Sequence, residues 1–493
     1  MPTTRRVVRK PLVLTLNSMV EMPKIAEGLG PQHVEDLCDR HTHQVTERGF
    51  RGKQVRRTMR TFKEAPGRIL FPRGSFADIA KYLRARRVAF TVDNQTIDAG
   101  ARDDITITDR AEPITLRPYQ RECSDIIVGD LVGGASRELV IRAPTGSGKT
   151  EFVIDAIARL RRRALIVVPD VPLLGQWVKR IAKRFGWART DVGEIGDGVL
   201  RLRPVTVATK DTIKHHTELL EDFDVLFGDE IQAWAADSFL ALAERSRARW
   251  RVGVSADERR KDRKEFVIHE TFGKVAHTVE IDDLVRDGAV SAIEVLVVRT
   301  GHRDPAIEKA AESERPQLIT RLWTKILDRI EANEARSQLA VDILVSQVRQ
   351  GRATLAFADR VDLARWIAAK ASMAGVPCGT FLGGAKQKAD FTATLARLEA
   401  GELHAAVGTR KVYRGLDVPR LKSGVVVTPT ASNRQDANQQ AGRVRRPFEG
   451  ETARLIYLWD ERLFPKALEQ LEHTFKKKNV REVTAAEIIG GGR

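Results

Sequence analysis

The stretch "VIRAPTGSGKTEF" sets Ala143, Thr145, Gly146, Ser147, Gly148, Lys149 and Thr150 between an apolar run and an amphipathic one. Glycines at a strand-to-helix turn let backbone N–H groups close around phosphate oxygens. A lysine there neutralises β and γ phosphates, and the hydroxyl beside it ligates magnesium. Alanine stands at 143, where the strict phosphate-loop pattern has its first glycine. Further on, "DVLFGDEIQAW" ends an apolar run in two adjacent carboxylates, Asp229 and Glu230. Ligands of an open α/β sheet gather at the carboxyl ends of its strands. Asp229 is therefore read as holding magnesium through its water shell, and Glu230 as orienting and helping to deprotonate a water that attacks the γ phosphate. The expected ligands are ATP and Mg2+. The plainer alternatives are a glycine turn that binds nothing and two acids favoured by a helix N-terminus.

These residues need strands to carry them. From about Leu116, short apolar β-rich runs alternate with helix-length amphipathic segments, the pattern of a parallel sheet covered on both faces. "ELVIRA", "ALIVVP", "VTVAT", "DVLFGD" and "WRVGVS" form one series; "ATLAFAD", "CGTFLG", "HAAVGT", "SGVVVTP" and "RLIYLW" form a second. Between them Gly288, Gly301 and Pro305 break the periodicity, and a long helical pattern runs from about Pro316 to Gln350. The expected fold is α/β, with two lobes at 113–299 and 300–475, a small basic α+β domain at 1–112, and a basic, glycine-ended tail at 476–493.

Lys plus Arg number 83 against 66 Asp plus Glu, a net charge of +17 that favours a polyanionic partner, nucleic acid before an anionic membrane. Three scattered cysteines, Cys38, Cys123 and Cys378, support neither a disulfide framework nor a structural zinc site, so a reducing, cytoplasmic setting is expected. No apolar run reaches the roughly 18 residues of a membrane span. The acid-free start, with Arg5, Arg6, Arg9 and Lys10, is read as a basic lead into a first strand, with an organelle presequence as the alternative. The run from Arg48 to Lys63 carries seven cations with Phe50 and Phe62 interleaved. Such a surface can grip a nucleic-acid backbone through residues such as Arg56, Arg57 and Arg60; a solvated helix is the alternative. Cys38, His41 and His43 lack a fourth ligand at metal spacing and are read as non-metal.

The order of further blocks resembles the superfamily 2 helicases and translocases. "LRPYQ" is similar to the adenine-reading block, with Arg117 and Gln120 at the base, and "APTGSGKT" to motif I in the form that explains Ala143. "VVPDVPLLGQW" resembles motif Ia, "IGDG" and "VTVATKDTI" blocks that touch nucleic acid, and "SAD" (Ser255 to Asp257) the SAT coupling motif with its last residue changed. "TLAFADRVDLA", "VGTRKVYRGLDVP" and "QQAGRVRRP" resemble motifs IV, V and VI. The resemblance implies two RecA-like lobes with ATP between them. It makes Arg443 and Arg446 arginine fingers and adds Gly415, Asp417 and Gln439 to the nucleotide site. Thr209, Lys210, Thr409 and Lys411 become backbone contacts, and Gln232, where most relatives have His or Asp, becomes a coupling residue. Within this group the chain looks most like the XPB-like, UvsW-like and restriction-translocase branch. That implies an ATP-dependent DNA helicase or duplex translocase acting on forked or branched DNA, possible roles being repair or recombination. The alternatives are an RNA helicase and a non-unwinding motor or binding subunit that serves a nuclease or defence complex.

Overall fold

The computed structural model describes residues 10–48, 54–129, 137–234, 242, 244–257, 264–382, 388–409, 418, 420–428, 434–446 and 452–490. It divides into two compact units: Met1–Ala143 with Gly148–Glu280, and Pro144–Ser147 with Ile281–Arg493.

The first unit opens with β1 (Leu12–Leu16), β2 (Met19–Pro23), β3 (Thr42–Arg48), β4 (Gln54–Arg60), β5 (Lys63–Ala65), β6 (Arg68–Pro72) and β7 (Phe90–Asn94). Five of these make a sheet in the order β5-β6-β2-β1-β7, while β3 and β4 pair only with each other as an antiparallel hairpin. Alternation in "LVLTL" turns Leu12, Leu14 and Leu16 inward. There they meet Leu37 of the helix Pro31–Arg40 and Ile79 and Leu83 of the helix Phe76–Ala85. The basic run expected as a nucleic-acid surface or a solvated helix is thus a strand pair in its described part.

An eight-stranded sheet follows, built from β8 (Arg137–Arg142), β9 (Ala164–Val168), β10 (Gly193–Gly196), β11 (Val199–Arg201), β12 (Val205–Thr209), β13 (Val225–Asp229), β14 (Trp250–Ser255) and β15 (Val275–Thr278). The order is β11-β10-β12-β9-β13-β14-β8-β15, parallel except for β11. Every residue of β9, β12, β13 and β14 is buried, because helices cover both faces and leave no polar side to the strands.

The N-terminal domain is fastened to this sheet rather than standing apart, which corrects the expected separation at residue 112. Arg73 is fully buried; it donates to Glu138 on β8, to Asn17 O at 2.8 Å and to Ala248 O. Arg251 of β14, also fully buried, donates to Ser18 O at 2.8 Å. Burial and the neighbouring Arg73 charge push the Arg251 guanidinium well below its usual range. Beside them a Cβ on Gly74 would lie 2.4 Å from the His269 carbonyl oxygen, so the backbones meet where only glycine fits. The connecting segment also lies along the lobe: Asp98 takes Arg162 at 2.6 Å and Arg249 at 2.8 Å.

The second unit contains β16 (Ile293–Arg299), β17 (Ala353–Phe357), β18 (Cys378–Phe381), β19 (Ala405–Gly408), β20 (Leu421–Val426), β21 (Ala453–Trp459) and β22 (Val480–Val483). They form an all-parallel sheet in the order β18-β19-β17-β20-β21-β16-β22. Two expected boundaries move. The unit starts at Ile281 instead of Thr300, because β16 pairs along its whole length with β21. Residues 476–493 are not a tail in their described part: β22 adds to β16, and Ser346 Oγ donates to Ile488 O at 3.1 Å. The long helical pattern is two helices, Arg315–Ala332 and Glu334–Arg349, divided at Asn333, whose side chain accepts from Arg336 N at 3.0 Å.

One ion pair ties this unit together. Arg336 and Asp460 are both almost wholly buried; Nε donates to Oδ1 at 2.8 Å and Nη2 to Oδ2 at 3.0 Å, while Nη2 also reaches Val427 O at 2.8 Å. Removing one partner strands a buried charge, at a cost of about 3–5 kcal/mol, whereas replacing both is close to neutral. Chemical denaturation should therefore show Arg336→Met strongly destabilising this unit and Arg336→Met/Asp460→Leu recovering most of the loss. Additive losses in the double variant would contradict that account.

Candidate nucleotide site

β8 ends at Arg142, and the next residue, Ala143, is fully buried with its N–H donating to Ser255 O of β14 at 2.8 Å. Gly146 (φ +92) and Gly148 (φ +75) hold left-handed backbone that a side chain would strain, and Gly148 caps the helix Lys149–Leu160. This is the strand, glycine turn and helix that the sequence called for. Thr150 is the second residue of that helix. Gln120, buried near the start of the helix Pro118–Val128, accepts from Arg117 N at 2.9 Å and turns its amide nitrogen to Gly148; the Arg117 side chain is exposed.

β13 delivers the carboxylates. Asp229 is its last residue, and Glu230 follows with φ +47 and ψ +46, a tight left-handed step that turns the chain out of the sheet. Asp229 accepts from Glu230 N at 2.9 Å and from Trp177 Nε1 at 2.8 Å, while Trp234 Nε1 donates to its carbonyl at 3.1 Å. Lys149 Nζ lies 3.1 Å from Glu230 Oε1 and 3.4 Å from Ala143 O. Gln232 completes the chain of contacts: its Nε2 donates to Glu230 Oε2, and its Oε1 accepts from Ser255 Oγ. The opposite amide orientation would set Oε1 against an acceptor-only carboxylate, so this one is the orientation the site permits. Ser255 Oγ is also 2.7 Å from Asp257 O and 3.1 Å from Asp257 N. With one hydroxyl proton, Ser255 can serve Gln232 or Asp257 O but not both at once.

The sequence reading passed over Trp177 and Trp234, although both indoles fix Asp229. Trp177 lies within the motif Ia block, on the helix Val171–Phe185, and its buried position on an amphipathic face looks from sequence like ordinary core. An indole N–H buried beside a carboxylate becomes visible only in three dimensions.

The other expected contacts divide. Thr209 is buried, with its hydroxyl donating to Thr212 at 2.8 Å; Thr409 is buried, with its hydroxyl 3.4 Å from Phe381 O. Each of these hydroxyls thus has a partner within its own unit. Lys210 pairs with Asp211 at 2.8 Å. Arg56, Arg57 and Arg60 are exposed on β4. Gln439 and Arg443 lie on the helix Arg434–Val444, and Arg446 follows it, in the second unit. Lys411, Gly415 and Asp417 lie outside the described residues. His41 bonds to Leu37 O at 2.8 Å, and His43 stacks on Phe266 and meets Glu270 at 3.0 Å.

Burial, followed by the adjacent Glu230 charge, raises the Asp229 carboxyl to about 6, against the pull of Lys149 and Trp177. The sign follows from linkage. Between the unfolded value near 4 and about 6, the folded protein holds a proton that the unfolded chain has released, so this group costs stability as pH rises through that window. Measured without nucleotide, the melting temperature of Asp229→Asn minus that of the wild type should grow from pH 4 to pH 7. A constant difference would mean that Asp229 ionises without penalty.

Residues 113–258 match the family model described as type III restriction enzyme, res subunit. The chain is 26% identical over 344 residues to the DNA 3'-5' helicase XPB of Kineococcus radiotolerans, covering 67% of this chain and 57% of that one. It is 24% identical over 347 residues to the DNA 3'-5' helicase XPB of Mycobacterium tuberculosis, covering 67% and 58%. It thus spans about three fifths of the length of the curated relatives it matches. S. cerevisiae Dbp5 bound to RNA and ADP BeF3 superposes with a TM-score of 0.55 at 12% identity, over 80% of this chain and 98% of that one. Among the described residues no helix is long and apolar enough to cross a membrane. The chain is thus similar in sequence to the XPB helicases and, over residues 113–258, to the type III restriction res subunit, and its two largely parallel sheets share the fold of Dbp5.

Proposed function

We propose that the chain is a nucleic-acid-stimulated ATPase working as a DNA helicase or duplex DNA translocase on forked or branched DNA. The observation that supports this reading is the chain of contacts Lys149–Glu230–Gln232–Ser255 beside the ends of β8, β13 and β14, in which we read Lys149 as the phosphate-neutralising cation, Glu230 as the base and Ser255 as a coupling hydroxyl. On entry of ATP, Lys149 leaves Glu230 Oε1 for phosphate oxygens, while Gln232 keeps hold of Oε2. Oε1 then has a vacant lone pair with which to orient and deprotonate water. The donor set fits magnesium: Thr150 offers a hydroxyl, and each Asp229 oxygen accepts one N–H and keeps a lone pair for a bound water. Magnesium, when bound, neutralises charge on the β and γ phosphates. Arg443 and Arg446 serve as arginine fingers in this reading, on the strength of their motif alone. The names of the curated relatives favour DNA over RNA.

ATPase measurements across duplex DNA, forked DNA and RNA test the substrate class: stimulation by RNA alone overturns the DNA reading. Glu230→Gln should lower hydrolysis by about 10²-fold or more while retaining nucleotide, and normal turnover in this variant removes Glu230 as the base.

Gln232→Ala should lower strand displacement more than hydrolysis, because it cuts the link from Glu230 to Ser255 without removing the base. Equal losses in the two assays would move Gln232 from coupling into the chemistry.

A further inference from the structure

A second charged feature of the first unit lies away from the nucleotide site. Between the N-terminal domain and the helix Phe266–Phe272 runs a groove of about 600 Å3, with Arg40, Lys81, Arg86 and Lys274 along its walls. Besides Tyr82, four further ionisable groups face it. Asp78 is paired with Lys274, and Glu270 is buried and paired with His43. Burial lowers the affinity of His41 for a proton, and His269 Nδ1 lies 3.4 Å from Gly273 O. Asp36, behind the wall, accepts from Tyr82 at 2.7 Å and lies 3.5 Å from Arg86. Arg40 and Lys81 are exposed and have no ion-pair partner among the described residues. The groove is therefore net positive, with two cations unspent.

Two of the cations are held in place. The Arg40 and Arg86 guanidinium carbons lie 5.0 and 5.3 Å from the centroid of the Tyr82 ring. A guanidinium held against an aromatic ring loses less freedom when it binds a phosphate. The surface also continues: His41 in the groove wall directly precedes β3, and Arg60 on β4 stands opposite Thr42, with Arg56 opposite Thr46 on the same exposed side.

We propose that this groove, extended along the outer side of the β3–β4 hairpin, holds the phosphodiester backbone of a nucleic acid on the face of the first unit made by its N-terminal domain. Cations on two helices and at Lys274 give a track of charge rather than a single anion pocket, and such a track reads backbone without regard to sequence. The proposal rests on the reading that the chain engages nucleic acid.

Arg40→Glu/Lys81→Glu, both exposed, tests it by fluorescence anisotropy with a labelled DNA duplex, a fork and a single strand. The expected result is at least a tenfold loss of affinity. The slope of log K against log salt should flatten by about 1.8 on duplex, since each phosphate contact contributes about 0.9. Lys309→Glu/Arg321→Glu, an equal charge change on exposed residues of the second unit, should lose less than threefold. The milder Arg40→Gln/Lys81→Gln should lie between wild type and the glutamate variant, and it serves in its place if that variant melts early. Wild-type affinity and slope in the groove variants, or equal losses in the two glutamate variants, overturn the groove. So does displacement of the DNA from it by millimolar inorganic phosphate at constant ionic strength, which would mark a small-anion pocket. A wild-type chain that binds neither DNA nor RNA overturns instead the functional reading on which the proposal stands.

Discussion

The ammonium of Lys149 is the constraint around which the first unit's site is organised. Asp229 is buried at the end of β13, and Glu230 stands next to it. Two adjacent carboxylates removed from water repel each other, and each loses hydration. Lys149, 3.1 Å from Glu230, offsets that repulsion, while Trp177 and the Glu230 N–H give Asp229 the donors that water would have supplied. The strand order makes the contact possible. β14 lies between β13 and β8, so Ser255 can take the phosphate-loop backbone through its carbonyl and Gln232 through its hydroxyl. A nucleotide that draws Lys149 away disturbs this balance, and the disturbance has a hydrogen-bonded route to Ser255.

A different balance holds the N-terminal domain. Two buried guanidinium groups, Arg73 and Arg251, lie near one carboxylate, Glu138, which Arg73 bonds, and both donate as well to backbone carbonyls from both sides of the junction. Such an arrangement is costly if loosened, because each carbonyl lost leaves a buried cation less satisfied. The domain is therefore packed into the first unit, and at the edge of the groove Gly74 seats one backbone on another.

Much of the fold was legible because parallel strands buried on both faces must be apolar throughout. "ALIVVP" and "DVLFGD" are unmistakable for that reason, and the strands of both expected series are present. Short strands at or next to the sheet edges were not legible: β10, β11, β15 and β22 span only three or four residues each, too few for a period to show. β16 was apolar enough to notice, but its sequence position between two glycine breaks hid which sheet it joins. Pairing with β21, some 160 positions later, is a non-local choice that no local pattern encodes.

The sequence by itself determined which residue types the site offers and where along the chain they fall: Lys149 and Thr150 open the helix after β8, and Asp229 and Glu230 stand at the end of β13. It also limited Gln232 to a group that donates and accepts without titrating. Only the tertiary structure decided which acceptor and which donor Gln232 uses, that Trp177 supports Asp229, that Thr209 and Thr409 turn their hydroxyls inward, and that Arg73 is a buried fastening instead of a surface charge. The reason is common to all four. Residue type fixes what a side chain can bond to, but the bond it makes depends on which distant strands and helices the packed core brings within about 3 Å of it.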